Sequence, residues 1–93
     1  MQIGVLQLEL FIPQAGSLKT KRQALKSLKD KIRHKFNVSV AEIGGLDKWQ
    51  RATLAIACVN SDKRLINSIL SKIVNLADAQ HALELNDHTI EFY

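Results

Sequence analysis

The 93-residue chain holds one cysteine, one proline, four glycines and five aromatic residues: three Phe, one Trp and one Tyr. Cys58 has no second thiol to pair with, so no internal disulfide can form, which suits a reducing cytoplasm. The longest apolar stretch, residues 54–59, falls far short of the ~20 residues a membrane-spanning helix needs, so no membrane partner is expected. The start, Met1-Gln2-Ile3-Gly4-Val5, shows neither a basic leader segment nor a small-residue cleavage site, so the sequence predicts no secretory signal. Catalytic signatures are missing as well. His34, His81 and His88 are scattered without metal-ligand spacing. Glu42, Asp47 and Glu84 form no acid–base pair, and Gly16-Ser17 is too short for a phosphate loop. Cys58 lies in an apolar run and reads as a small core residue. The expectation is a non-enzymatic chain with no catalytic residues, no metal, no cofactor and no small-molecule substrate.

What is present is an ordinary globular composition, 46% apolar and 24% charged, at a length that accommodates one core and therefore one domain, residues 1–93. Residues 3–12 alternate, Leu6, Leu8, Leu10 and Ile12 against Val5, Gln7, Glu9 and Phe11, the period of a strand with one wetter face. Pro13 to Gly16 end it. Ser17 is placed to cap a helix over residues 17–36, whose Leu18, Leu25, Leu28, Ile32 and Phe36 share one stripe; Asn37, tolerant of the left-handed region, is the expected exit. Residues 38–43 read as a short strand, and 44–48 as a turn with two glycines free to take positive φ. Residues 49–59 form the most apolar run and read as a central strand. Asn60-Ser61-Asp62 cap a second helix with apolar positions Leu65, Ile66, Ile69, Leu70, Ile73, Val74 and Ala77. A loop over 78–82 precedes a last strand over 83–93.

The order β-α-β-β-α-β, with right-handed crossovers, predicts a ferredoxin-like α+β sandwich: a four-stranded antiparallel or mixed sheet with both helices on one face. The first and third strands are expected at the centre, parallel to each other, with the polar second and fourth strands at the edges. The opposite face, carrying Gln7, Glu9, Phe11, Thr53, Ala55 and Ala57, is left uncovered. It is either a plain solvated face or an interface to a second copy or another protein.

Charge is unevenly spread. The net +4 conceals a segment, residues 19–35, with eight cations against the single acid Asp30, while the rest of the chain holds five basic and eight acidic residues. Lys19, Arg22, Lys26, Lys29 and Arg33 follow helical spacing along one flank of the first helix, Lys31 and Lys35 lie on the other, and Lys21 falls nearer the core. Cationic heads beside a buried seam are what long side chains produce when their stems cover apolar surface. That placement does not account for the want of neighbouring Glu. Like charges four apart repel by a few tenths of a kcal/mol, and an RNA, DNA, acidic lipid or acidic protein partner would relieve the strain. No aromatic pattern for base recognition falls on the central strands and no Gly-x-x-Gly loop occurs, so the sequence supports phosphate contact rather than base-specific readout.

Ser17-Leu18-Lys19-x-Lys21-Arg22, Phe36-Asn37-Val38-Ser39-Val40-Ala41-Glu42 and Trp49-Gln50-Arg51-Ala52, in that order and spacing, resemble the bacterial YlxP-like family of domains of unknown function over nearly the whole chain. The family-like positions are Lys19, Lys21, Arg22, Asn37, Glu42, Trp49, Gln50 and Arg51. The resemblance implies a ferredoxin-like fold and, because such domains are often encoded beside translation-initiation and ribosome-maturation factors, a role near RNA or the ribosome. It brings no activity, cofactor or catalytic set. The expected nucleic-acid contacts are Lys19, Arg22, Lys26, Lys29 and Arg33, on RNA or a ribosome. The alternative is homodimerisation or protein interaction through the open face at Phe11, Trp49, Arg51, Thr53 and Ala55, with Trp49 either sealing the core edge or facing the partner.

Overall fold

The computed structural model describes residues 1–93 as β1 (Gln2–Phe11), α1 (Leu18–Lys35), β2 (Ser39–Gly44), β3 (Arg51–Asn60), α2 (Lys63–Asp78) and β4 (Glu84–Phe92). The strands form one sheet in the order β2-β3-β1-β4. Alternation decides which face each residue takes. Leu6, Leu8 and Leu10 of β1 and Ala52, Leu54, Ile56 and Cys58 of β3 are buried, while Gln7 and Glu9 between them are exposed. The two sets meet across the central pair in the register Leu6↔Ile56, Leu8↔Leu54 and Leu10↔Ala52. With Leu25, Leu28 and Ile32 of α1 and Ile66, Leu70, Ile73 and Ala77 of α2 they belong to a single core of eighteen buried residues. Both helices therefore cover the same face, and the architecture is the ferredoxin-like α+β sandwich.

One expectation about that sheet is wrong. β1 and β3 are antiparallel, as is every pair in the sheet. The crossover through α1 makes β1 parallel to β2, but β3 hairpins back from β2 and inserts between them, so it opposes both neighbours. The parallel relation joins non-adjacent strands.

Local boundaries follow side-chain chemistry. The Ser17 hydroxyl accepts the Thr20 N–H at 3.2 Å and opens α1; the Asp62 carboxylate accepts the Arg64 N–H at 2.8 Å and opens α2. α1 ends at Phe36, whose φ of −133° is extended and whose N–H still reaches the Ile32 carbonyl. No residue other than glycine has a positive φ, so the expected left-handed exit at Asn37 does not occur. Phe36 packs its ring against the core, and an extended residue delivers it there. In the β2–β3 turn only Gly45 takes a positive φ, 71°; Gly44 is the last residue of β2. A Cβ on Gly45 would also stand 2.6 Å from the Arg51 carbonyl oxygen. At Gly4 the reason for glycine is different: a Cβ would collide with Ile66 Cγ2, so α2 rests directly on the backbone of β1.

Three further placements differ from expectation. β3 begins at Arg51, leaving Trp49 in the turn. β2 is shifted by one residue. Leu65, assigned to the apolar stripe of α2, is 46% exposed, because the buried seam runs through Ile66, Leu70, Ile73 and Ala77. Cys58 is buried, and burial pushes its thiol pKa up. No helix is long and apolar enough to cross a membrane.

Candidate nucleic-acid interface

The first helix carries its cations in three different situations. Lys21 is buried, its whole residue 1% exposed, in the seam it shares with Leu25, Leu28 and Ile32. Its ammonium donates to the Gly45 carbonyl and lies 3.0 Å from Glu42 Oε2. That oxygen receives no aligned hydrogen bond, so its stabilisation by Lys21 is mainly that of charge on charge. Glu42 faces inward because it alternates with Ala41 and Ile43, both exposed. Lys21 is thus a structural clasp between the first turn of α1 and the β2–β3 turn, and it adds nothing to the surface field.

A second group is exposed but engaged. Lys26 Nζ donates to Asp30 Oδ2 at 2.6 Å, and that bond, assisted by the charges of Lys26, Arg33 and Lys29, holds the Asp30 carboxyl below its usual value. Arg33 donates one guanidinium N–H to the Val40 carbonyl at 2.9 Å, and Lys31 reaches Gln80 Oε1 at 2.8 Å. These two contacts orient the helix: the Arg33 flank lies over β2, the Lys31 flank against the C-terminal end of α2.

Lys19, Arg22 and Lys29, with Lys35 on the other flank, form the third group, without a carboxylate partner or a side-chain hydrogen bond. The only two ion pairs in the molecule are Lys21–Glu42 and Lys26–Asp30. The five expected contacts, Lys19, Arg22, Lys26, Lys29 and Arg33, do share one flank, spanning about 21 Å at 1.5 Å per residue. Three of them are free, one is neutralised by its neighbour and one is partly committed to backbone.

Where α1 begins, three segments of chain converge. The Ile12 N–H donates to the Gln50 carbonyl at 2.8 Å, Gln50 Nε2 donates to the Pro13 carbonyl at 3.0 Å, and Lys21 holds Gly45. Lys48, Trp49 and Arg51 project from this corner, all exposed, beside an open cleft of about 650 Å³ floored by Ala15 and Gly16. Trp49 is 55% exposed and seals no part of the core. The sequence pattern leads one to expect it at a strand end on the open face; the turn instead carries it to the edge of the molecule.

The remaining expected interface residues do lie on the uncovered face. Phe11 pairs with Arg51, Glu9 with Thr53 and Gln7 with Ala55 across β1–β3. Thr53 Oγ1 donates to Glu9 Oε2 at 2.7 Å, and Tyr93 OH donates to Glu91 Oε2 at 2.6 Å, which raises the tyrosine pKa. Phe11, Thr53 and Ala55 are half-buried, whereas Val59, at the far end of the same strand, is 58% exposed.

Residues 3–90 match the family model described as "Protein of unknown function (DUF503)". The chain belongs to the DUF503 family. It is 39% identical over 82 residues to the "Uncharacterized protein YlxP" of Bacillus subtilis (strain 168), a match covering 88% of this chain and 89% of that protein. Among solved structures it is similar to the de novo designed protein Foldit4, with a TM-score of 0.54 and 13% identity, covering all of this chain and 94% of the other. That likeness concerns the fold alone. For this DUF503 domain, two of the family-like positions, Lys21 and Glu42, have a structural explanation in the clasp, while Lys19, Arg22, Trp49 and Arg51 stand on the surface.

Proposed function

We propose that this DUF503 domain is a non-enzymatic RNA- or ribosome-associated module of the cytoplasm, which grips phosphates along the β2-side flank of α1. The observation that carries the reading is the set Lys19, Arg22 and Lys29: cations on one flank that the fold leaves unpaired, although it has matched Lys21 and Lys26 to acids. Unpaired cations in a row concentrate positive potential, and a polyanion with regularly spaced charges can answer it along the length of the helix.

The free cations define the informative variant. Lys19→Glu/Arg22→Glu/Lys29→Glu removes them without touching the Lys21 clasp or the Arg33–Val40 bond. Labelled single-stranded RNA, titrated by fluorescence anisotropy, should bind the unmodified chain and lose binding to the triple variant, with circular dichroism showing the same fold. Three phosphate contacts on a single strand give a log–log salt slope of about −2, roughly a twentyfold loss between 50 and 200 mM salt. Equal affinity of the two chains would refute the reading.

The exposed apolar groups of the open face, Val59 at 58% and Ile43 at the β2 irregularity at 51%, favour a second reading, association of two copies through that face. It uses a surface on the other side of the sheet from α1 and is compatible with the first.

A further inference from the structure

The cleft beside Trp49 has no part in phosphate contact along α1, yet it lies at the same end of the molecule as Lys19 and Arg22. We propose that this corner holds an unpaired nucleotide of single-stranded RNA, its base stacked on the Trp49 indole and its flanking phosphates met by Lys48 and Arg51; this rests on the RNA-binding reading above. Three observations support it. Trp49 is more than half exposed, on a turn held by the Lys21–Gly45, Lys48–Gly45, Gln50–Pro13 and Ile12–Gln50 bonds, so the aromatic residue is carried on a fixed support. Cations stand on either side of it in sequence, and a strand presents its charges on either side of each base in the same way. The cleft, about 650 Å³, is open enough for a flat ring and is floored at Gly16, where even an added Cβ would meet nothing within 4 Å. Asp47 is the one acid on its rim, outnumbered by Lys48 and Arg51.

Stacking on a ring tolerates any base, so the corner would confer preference for single strands over duplexes and little sequence preference. That agrees with the lack of an aromatic pattern on the central strands.

Trp49 is the chain's only tryptophan, and its emission reports the corner without a label. The full chain is titrated with a short oligouridine and with an RNA hairpin of equal length, following tryptophan emission and, in parallel, anisotropy of labelled RNA. The expected result is quenching by oligouridine that saturates with the anisotropy signal, little quenching by the hairpin, and a loss of about fivefold or more in affinity for Trp49→Leu with partial recovery in Trp49→Phe. Unaltered emission during binding, equal quenching by both RNAs, or wild-type affinity of Trp49→Leu would overturn the stacking site. If binding still depended on Lys19, Arg22 and Lys29, the α1 reading would survive that failure. Absence of any binding would overturn both.

Discussion

Replacing Lys21 by methionine tests the clasp at the base of α1. The side chain of Lys21 is 2% exposed and that of Glu42 17%, so removal of the ammonium leaves a carboxylate largely out of water with no cation near it. It also takes from the Gly45 carbonyl one of its two donors, leaving the Lys48 N–H. Breaking a buried pair from one side costs about 3–5 kcal/mol, against about 0–1 for an exposed pair. The partial exposure of Glu42 lets some water reach it, which places the expectation near the lower end, about 3 kcal/mol. In a domain of this size that corresponds to a fall in Tm of roughly 12–24 °C. It is also a large share of the ~5–15 kcal/mol that holds such a domain together. Urea unfolding followed by circular dichroism measures it directly, the midpoint falling with an unchanged slope. The double variant Lys21→Met/Glu42→Leu removes both charges and should recover most of the loss, because an apolar pair in the same space avoids desolvation. A single-variant loss below about 1 kcal/mol, or a double variant no better than the single, would refute the buried-charge account.

Asp30→Asn should strengthen RNA binding by freeing Lys26, steepening the salt slope by about 0.7, as read by anisotropy; weaker binding would count against the α1 flank. Because Lys26 holds the folded Asp30 pKa below the unfolded value near 3.9, the stability this pair contributes is present above that value and is lost as pH falls through the lower folded one, a difference that acid titration of the wild type against Asp30→Asn should show. If two copies associate through the open face, sedimentation velocity should show a mass that rises with concentration and reverts to the monomer in Ala55→Glu, whose residue sits half-buried between Gln7 and Ala41. A single monomeric species at every concentration would dismiss the dimer.

Much of this was legible in the chain. The alternation Leu6-Gln7-Leu8-Glu9-Leu10 carries both the strand and its wet face, and the seam Leu25, Leu28, Ile32 carries the helix, because burial period and backbone period coincide there. The direction of β3 is not legible in the same way, because right-handed crossovers fix strand pairs that are not neighbours. Lys21 is the instructive miss at the site. Its position four before Leu25 put it in the seam, and Glu42 alternates inward with Val40, so both halves of the clasp were marked by period. A lysine in that register still reads as a snorkelling side chain until a carboxylate is known to face it. Which cations stay free depends on contacts between residues far apart in the chain, as with Arg33 and the edge strand, or on rotamers, as with Lys26 and Asp30. Trp49 escaped its expected place because the length of a glycine-containing turn is decided by backbone geometry that composition does not reveal.

The bond from Lys21 to Gly45 joins stretches separated by 24 positions, one bearing Lys19 and Arg22, the other Trp49 and Arg51. A polymer lying across both would find its anchor points already at a set separation. Little ordering entropy would then be lost on docking, and a short segment could be retained with few contacts. Loosening that bond would leave every anchor in the sequence while slackening the tie between them, with the Gln50–Pro13 and Ile12–Gln50 bonds left to hold the turn.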